Sequence, residues 1–255
     1  WLAWKKLTTG VPQPLAVRHR IVTANLYVKN QTPVAGVNRI IAKVAAAFHF
    51  GPDVIACQET HKMLRKLEQV GGYNVFVAAN AGEAGQELAV LLNSKLKCLS
   101  VKFHPAATGT GEGVLDHPRG IFVVRYVKRG RKVAVINTHM GVFGEDRTAN
   151  GAQPGEAAQQ HAAHALKVAR LVALHRAAGY TVFVTADANS NGSWDQSLPA
   201  VLKAAGMRVT RHGVDLIASD PQRTKAPDVE HVPHTLTGSD VHDVIAIRTT
   251  ERKRA

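Results

Sequence analysis

The sequence predicts an α/β fold with mixed sheets, in one domain over residues 1–255 with a core at about 20–248 and basic ends. Three observations carry this. Short apolar runs bounded by turn residues outnumber the helical stretches. Several of these runs lie close enough in sequence to pair antiparallel, and no segment rich in Pro or Ser divides the chain. A hydrophobic content of 45% over 255 residues supplies the core that such a domain needs.

The first run, Arg20 to Asn25, reads as a buried strand with a polar end. Val37 to Phe50 has helical spacing with alanine filler, and Gly51-Pro52 stops it. Asp53 to Glu59 is a second strand, again with a polar end, and a short helix at about His61 to Val70 precedes Gly71-Gly72. Strands follow at Tyr73–Ala78, Glu87–Asn93, Leu96–Phe103, Gly120–Val127 and Lys132–Asn137, the last two joined by the turn Lys128-Arg-Gly-Arg131. Gly141 to Gly155 is a long loop, Glu156 to Ala178 the strongest helix, and Gly179 its stop. Tyr180–Ala186 is a strand, Ser197–Ala205 a short helix, and Gly213–Ala218 and Val241–Arg248 are further strands. No internal repeat is visible.

Strands here stop at acidic, amide or imidazole groups: Asn25, Glu59, His139 in Asn137-Thr-His, Asp187 and Asn189 in Asp-Ala-Asn, and the Asp240/His242 region. Asp215 lies inside a strand-like run. One carboxylate at a strand end is ordinarily a turn former or a helix cap. A set of them at the ends of packed strands is what metal-assisted phosphoryl chemistry requires. Hard oxygen ligands hold Mg²⁺ or Mn²⁺, a carboxylate or amide orients water, and an imidazole stabilises charge.

Charge narrows the partner. Thirty-two Lys and Arg against nineteen Asp and Glu leave a formal +13, which attracts polyanions at long range. Nucleic acid is the commonest such partner and an anionic membrane the next. Lys5, Lys6, Arg252, Lys253 and Arg254 read as solvated ends. No apolar run approaches the roughly 20 residues of a spanning helix. Cys57 and Cys98 make no disulfide framework, although one bridge between them is open, and no signal peptide is visible. An intracellular location is therefore expected ahead of a secreted one. The thirteen His residues include His161 and His164 at i, i+3, and the nearby pair His231 and His234. No zincin pattern accompanies them, so the helix histidines are expected to be exposed.

From Ile21 to Ile247 the order of these segments resembles the endonuclease/exonuclease/phosphatase superfamily. The matching motifs are Asn25, Gln58-Glu59, Asn137-Thr138-His139, Asp187-Ala188-Asn189 and Asp215 within Val-Asp-Leu-Ile. Gln86-Glu87 and Arg119 are similar to the deoxyribonuclease I-like branch. The closing motif, Ser239-Asp240-Val241-His242-Asp243, departs from the family's Ser-Asp-His. Aligned from Ser239, Val241 stands where the His belongs. Aligned from the following strand, His242 does, and a one-residue bulge reconciles the two.

The resemblance implies two mixed sheets packed face to face with helices on the outer faces, a four-layer α/β sandwich. It implies a metal-dependent phosphodiesterase, with DNA ahead of RNA as substrate. Glu59, Asn25 and Asp240 would hold Mg²⁺ or Mn²⁺. Asp187 would position or deprotonate water with the help of Asn189. His242 held by Asp215, and His139 held by Glu87, would stabilise the transition state. Arg119 and Arg147 would contact substrate phosphate, with Lys128, Arg129 and Arg131 as further backbone contacts and the 141–155 loop supplying specificity. Two other readings stay open. One is a phosphatase or phosphodiesterase acting on a small or lipid phosphoester. The other is a nucleic-acid-binding or assembly protein on the same fold that does not cleave. Oligomeric state is not legible.

Overall fold

The computed structural model describes residues 16–26, 33–60, 64–77, 88–107, 119–141, 154–190, 194–233 and 244–252. In chain order the elements are β1 (Arg18–Asn25), α1 (Pro33–Phe48), β2 (Val54–Gln58), α2 (Leu64–Leu67), β3 (Tyr73–Val77), β4 (Ala89–Asn93), β5 (Lys97–Ala107), β6 (Arg119–Lys128), β7 (Arg131–His139), α3 (Pro154–Ala177), β8 (Thr181–Asp187), α4 (Leu198–Ala204), β9 (Arg208–His212), β10 (Asp215–Ser219), β11 (Asp228–Val232) and β12 (Val244–Thr250).

These strands form two six-stranded mixed sheets, ordered β11-β12-β1-β2-β4-β3 and β5-β6-β7-β8-β10-β9. Each contains one parallel pair, β1/β2 in the first and β7/β8 in the second, and all other neighbours are antiparallel. The parallel pairs need a crossover, which α1 supplies in one sheet and α3 in the other.

The layers follow from side-chain alternation. On β1, β2, β7 and β8 every second residue faces the other sheet. Ile21, Val54, Ala56, Val133, Val135 and Phe183 build an apolar core there, with Ile217 of β10 and Ile245 and Ile247 of β12. The alternate residues face outwards. Val22, Ile55 and Cys57 pack under Val37, Ile40 and Val44 of α1. Ala134, Ile136, Val182 and Val184 pack under Ala165, Val168 and Val172 of α3 and Leu198 and Leu202 of α4. The order is helix, sheet, sheet, helix, the four layers expected.

Several boundaries and elements differ from expectation. Helix α1 starts at Pro33 and ends at Phe48, where His49 turns into left-handed backbone at φ 62°. Among the described residues α2 spans Leu64–Leu67 and stops short of Val70. Strands β9 and β11 were missed because their composition is polar: Arg-Val-Thr-Arg-His and Asp-Val-Glu-His-Val are edge strands, and charge on an edge protects it against unwanted pairing. Cys57 and Cys98 are both free. No described helix is long and apolar enough to cross a membrane.

The histidine expectation is overturned. His161 and His164 are 2% and 1% exposed. They share the buried stripe of α3 with Ala165, Val168, Val172 and His175, at the spacing of one helix face.

Candidate metal centre and phosphoryl-transfer site

Moving towards the C-terminal ends of β1, β2, β7 and β8, the inter-sheet face changes from apolar to polar. One step beyond the aliphatic layer stand Thr23, Gln58, Asn137 and Thr185, all fully buried. Gln58 Nε2 donates to Asn137 Oδ1 at 2.7 Å and to Thr23 Oγ1 at 3.1 Å. Thr185 Oγ1 donates to the same Asn137 oxygen at 3.2 Å. Asn137 Nδ2 in turn donates to the carbonyl oxygens of Cys57 (2.9 Å) and Ala89 (3.3 Å). Buried amides are costly unless paired, so this network ties the two sheets in one register just below the site.

At the strand ends above it, the two parallel pairs close in the same way. Asn25 pairs with Gln58, and the chain continues with Leu26 N–H donating to the Gln58 carbonyl (3.1 Å). His139 pairs with Asp187, and Met140 N–H donates to the Asp187 carbonyl (2.9 Å). Asp215 stands opposite Asp187 on the neighbouring strand β10 and is buried. The strand ends thus bring Asn25, Glu59, His139, Asp187, Asn189 and Asp215 to one end of the sandwich.

Asn25 joins the two carboxylates. Its Nδ2 donates to Glu59 Oε1 at 2.9 Å and to Asp187 Oδ2 at 2.8 Å. The other Asp187 oxygen, Oδ1, accepts the backbone N–H of Asn189 at 2.9 Å, the local turn that an Asp-x-Asn sequence favours. Asn189 Nδ2 donates to the Met140 carbonyl at 2.8 Å and lies 3.0 Å from His139 Nε2. Glu59 (φ 54°) and Asn189 (φ 46°) both hold left-handed backbone. For Glu this is uncommon, and such strain concentrates where a side chain must be aimed.

His139 has Arg119 on its other side. Arg119 is buried, and its Nη1 donates to His139 Nδ1 at 2.7 Å. A guanidinium has no acceptor, so Nδ1 accepts this bond, which leaves Nε2 turned to the site. That nitrogen faces the carboxylates, 3.6 Å from Asp187 Oδ2 and 3.8 Å from Glu59 Oε1. Sequence reasoning read Arg119 as a phosphate contact and missed this bond to His139. The one available signal was that Arg119 opens the strand that pairs with β7.

Behind His139, α3 props the strand. Thr138 Oγ1 donates to the Gly120 carbonyl at 2.8 Å and lies 2.8 Å from His164 Nε2, which therefore donates to it. Burial and the nearby positive groups push the His164 pKa down to about 3. His161 accepts from Leu198 N–H at Nε2 (3.4 Å), so its Nδ1 proton points at the Gly141 carbonyl (3.3 Å). A Cβ at Gly120 would stand 2.1 Å from Cζ of Phe103, so that ring would have to move to admit one.

Glu59, His139 and Asp187 offer one ligand atom each, all within 4.8 Å of one another. Two carboxylates and an imidazole suit a hard or borderline divalent cation, so the donor set fits a metal ion. The set overlaps with the expected ligands at Glu59. Asn25 stands next to it as the carboxylates' hydrogen-bond donor, and Asp187 and His139 join it. Glu87, Asp240, His242, Arg147 and positions 142–153 of the expected specificity loop lie outside the described residues. Lys128, Arg129 and Arg131, expected as backbone contacts, sit at the opposite end of the strands. There Lys128 pairs with Asp53 and Arg131 with Glu251.

No protein-family model matches the chain, and no curated protein matches it in sequence. Solved structures do. An endonuclease/exonuclease/phosphatase family protein from Bacteroides thetaiotaomicron superposes with a TM-score of 0.67 at 14% identity, covering 94% of this chain and all of that one. The human Nocturnin catalytic domain with bound sulfate gives 0.63 at 13% identity, over 92% of this chain and 95% of the other. TDP2 of D. rerio, complexed with single-strand DNA product, gives 0.62 at 14% identity, over 91% and 98%. With its two six-stranded sheets in this order, the chain has the fold of the endonuclease/exonuclease/phosphatase proteins.

Proposed function

We propose that the chain is a divalent-metal-dependent phosphodiesterase that hydrolyses nucleic-acid backbone, DNA in the first instance, as one catalytic domain. The observation that carries this is the convergence of Glu59, His139 and Asp187 at adjoining strand ends within 4.8 Å. Support for a phosphate ester comes from two structural neighbours, one holding sulfate and one a single-strand DNA product. The formal +13 favours a polyanion over a small ester.

In this reading Glu59 and Asn25, with Asp240, hold Mg²⁺ or Mn²⁺, and Asp187 and His139 lie close enough to share it. Such an ion supplies charge stabilisation to a phosphoryl oxygen. The protein's own groups do the rest. Asp187, fixed at both oxygens by Asn25 and Asn189, orients the attacking water and accepts its proton. His139, held by Arg119 at Nδ1, aims Nε2 at the ion that Glu59 and Asp187 would share. His242, with Asp215 behind it, protonates the leaving oxygen. Glu87 and Arg147 are assigned to His139 and to substrate phosphate. Preorganisation of this kind acts through positioning and electrostatics, with no covalent intermediate needed.

A plasmid-nicking assay with Mg²⁺, Mn²⁺ or EDTA tests the reading. Nicking that needs metal and is lost in Asp187→Ala, with the fold intact by circular dichroism, is the expected result. Tight DNA binding without nicking under any metal would replace the enzyme with a non-cleaving binder. Hydrolysis confined to small phosphomonoesters would move the substrate to that class.

A further inference from the structure

At the end of the sandwich opposite the candidate metal centre lies a second groove of about 520 Å³, bordered by Arg20, Phe50, Asp53, Lys95, Lys128 and Arg129. It is separated from Glu59 by the length of β2, roughly 20 Å at about 3.3 Å per residue. Four cations face one carboxylate there. Asp53 is almost fully buried and fixed in place: Arg20 bonds it through Nη2 (3.0 Å) and its backbone N–H (2.8 Å), and Lys128 closes on it from β6. Arg20 and Lys128 are thereby aimed, while Lys95 and Arg129 stand free in solvent at the rim, leaving the groove strongly positive.

Two local features suit this groove to a ligand. Phe50 is 63% exposed, among the most exposed large apolar side chains described, and one face of its ring carries the Arg20 guanidinium 5.0 Å from the centroid. Arg129 occupies the first left-handed position of the β6–β7 turn (φ 47°), followed by Gly130 at 75°. That turn type prefers Asn or Gly at its first position, so an Arg there puts a cation on the rim at a conformational cost.

From these contacts we infer that this groove is a second nucleic-acid subsite, which takes one nucleotide of a strand with its phosphate among Lys95, Arg129, Arg20 and Lys128 and its base stacked on Phe50. Phosphate contact with base stacking on an aromatic is the general mode by which proteins hold single strands without reading sequence. The volume is that of a single small-molecule site, and the openness of Phe50 and the rim cations lets a chain continue in both directions. The subsite anchors a strand remote from the reacting phosphate. The inference rests on the preceding reading only for the choice of polymer.

The test is fluorescence anisotropy with a labelled 20-nucleotide oligothymidylate, the 255-residue chain and EDTA, at low salt. Phe50→Ala should weaken binding roughly tenfold, and Lys95→Glu/Arg129→Glu should weaken it further and flatten the salt dependence. All three positions are exposed, so the variants keep their fold. Asp187→Ala should bind as the wild type does. Hydrolysis of bis(p-nitrophenyl) phosphate should be unchanged in Phe50→Ala and lost in Asp187→Ala. Unaltered oligonucleotide binding in the groove variants overturns the inference. So does thymidine monophosphate binding as tightly as the oligonucleotide, which would mark a small-ligand site. Groove-dependent binding to phosphatidylserine vesicles without binding to the oligonucleotide overturns it in favour of a membrane surface. A wild-type chain that binds through the groove yet hydrolyses nothing leaves this subsite standing and removes the enzyme reading instead.

Discussion

The two sheets are built to one plan and furnished differently. β1-α1-β2-β3-β4 gives the order β1-β2-β4-β3, and β7-α3-β8-β9-β10 gives β7-β8-β10-β9. In each half a parallel pair ends at the site and a crossover helix covers the outer face. The positions correspond: Asn25 to His139, Gln58 to Asp187, Leu26 to Met140. Yet the first half places an amide and the Gln58 wedge where the second places an imidazole and a carboxylate. Its own carboxylate, Glu59, arrives one residue later on strained backbone. The helices differ as well, since α1 covers its sheet with Val37, Ile40, Val44 and Phe48 while α3 buries His161, His164 and His175 among its aliphatics. Topology alone brings four strand ends together. The side chains that meet there differ with what each half supplies, and in the second half Arg119 and Asn189 bracket His139.

The sharpest way to break this comparison is to empty each half's carboxylate. Glu59→Gln and Asp187→Asn should each cost about 10²–10⁴-fold in kcat on a phosphodiester. Together they should cost little more than the worse of the two, because groups sharing one transition state are non-additive. Steady-state rates of the three variants decide it. Losses that multiply, or one variant that keeps near-full activity, would mean that the halves do not share a site.

The inter-sheet wedge tests whether the halves are locked to each other. Asn137→Leu removes the partner of Gln58 and of two carbonyls at once, leaving buried groups unpaired, and should cost about 2–4 kcal/mol of stability. Adding Gln58→Leu should restore part of that, since removing both partners leaves fewer orphans than removing one. Urea unfolding reads it. Equal, additive losses would show that the two amides act separately.

Much of this was legible in the chain, and the reasons for the rest are physical. The strand ends could be read because alternation places Asn25, His139 and Asp187 on the face that carries the inter-sheet core, so a polar residue continuing that phase must end inside the molecule. Asn137 could be quoted as part of a motif, but its wedge to Gln58 joins residues 79 apart in sequence and no local pattern announces it. The α3 histidines were misread because an alanine-rich helix with Gln and Lys resembles a solvated one. Their register with Val168 and Val172 was the overlooked signal. Strands β9 and β11 are too polar to stand out, and Arg119 became intelligible only when β6 was seen to lie against β7. The basic residues Lys128 to Arg131 were assigned by charge alone, and charge does not say that they stand at the opposite end of the strands from Glu59.

The crossover helices offer the smallest and most specific contrast. Protonating His164 costs the native state, because burial holds its pKa near 3 against an ordinary 6.5. The unfolded chain takes up that proton as pH falls through about 6.5 while the folded chain does not. Stability is therefore complete above that pH and declines on acidification towards 3, by at most about 1.4 kcal/mol per pH unit for one such group. Burial lowers the His161 pKa in the same direction, partly offset by its bond to the Gly141 carbonyl. His164→Gln keeps a donor for Thr138 and removes the titration. It should cost about 1 kcal/mol at pH 7 and take roughly one proton out of the acid slope. Val44→Ala, on the apolar stripe of α1, should lower stability by about 1–3 kcal/mol with the slope untouched. Urea melts of both variants between pH 4 and 8 measure the two slopes. A His164→Gln protein that keeps the full acid slope would show that the sensitivity lies elsewhere. The two helices would then differ in composition but not in how they respond to acid.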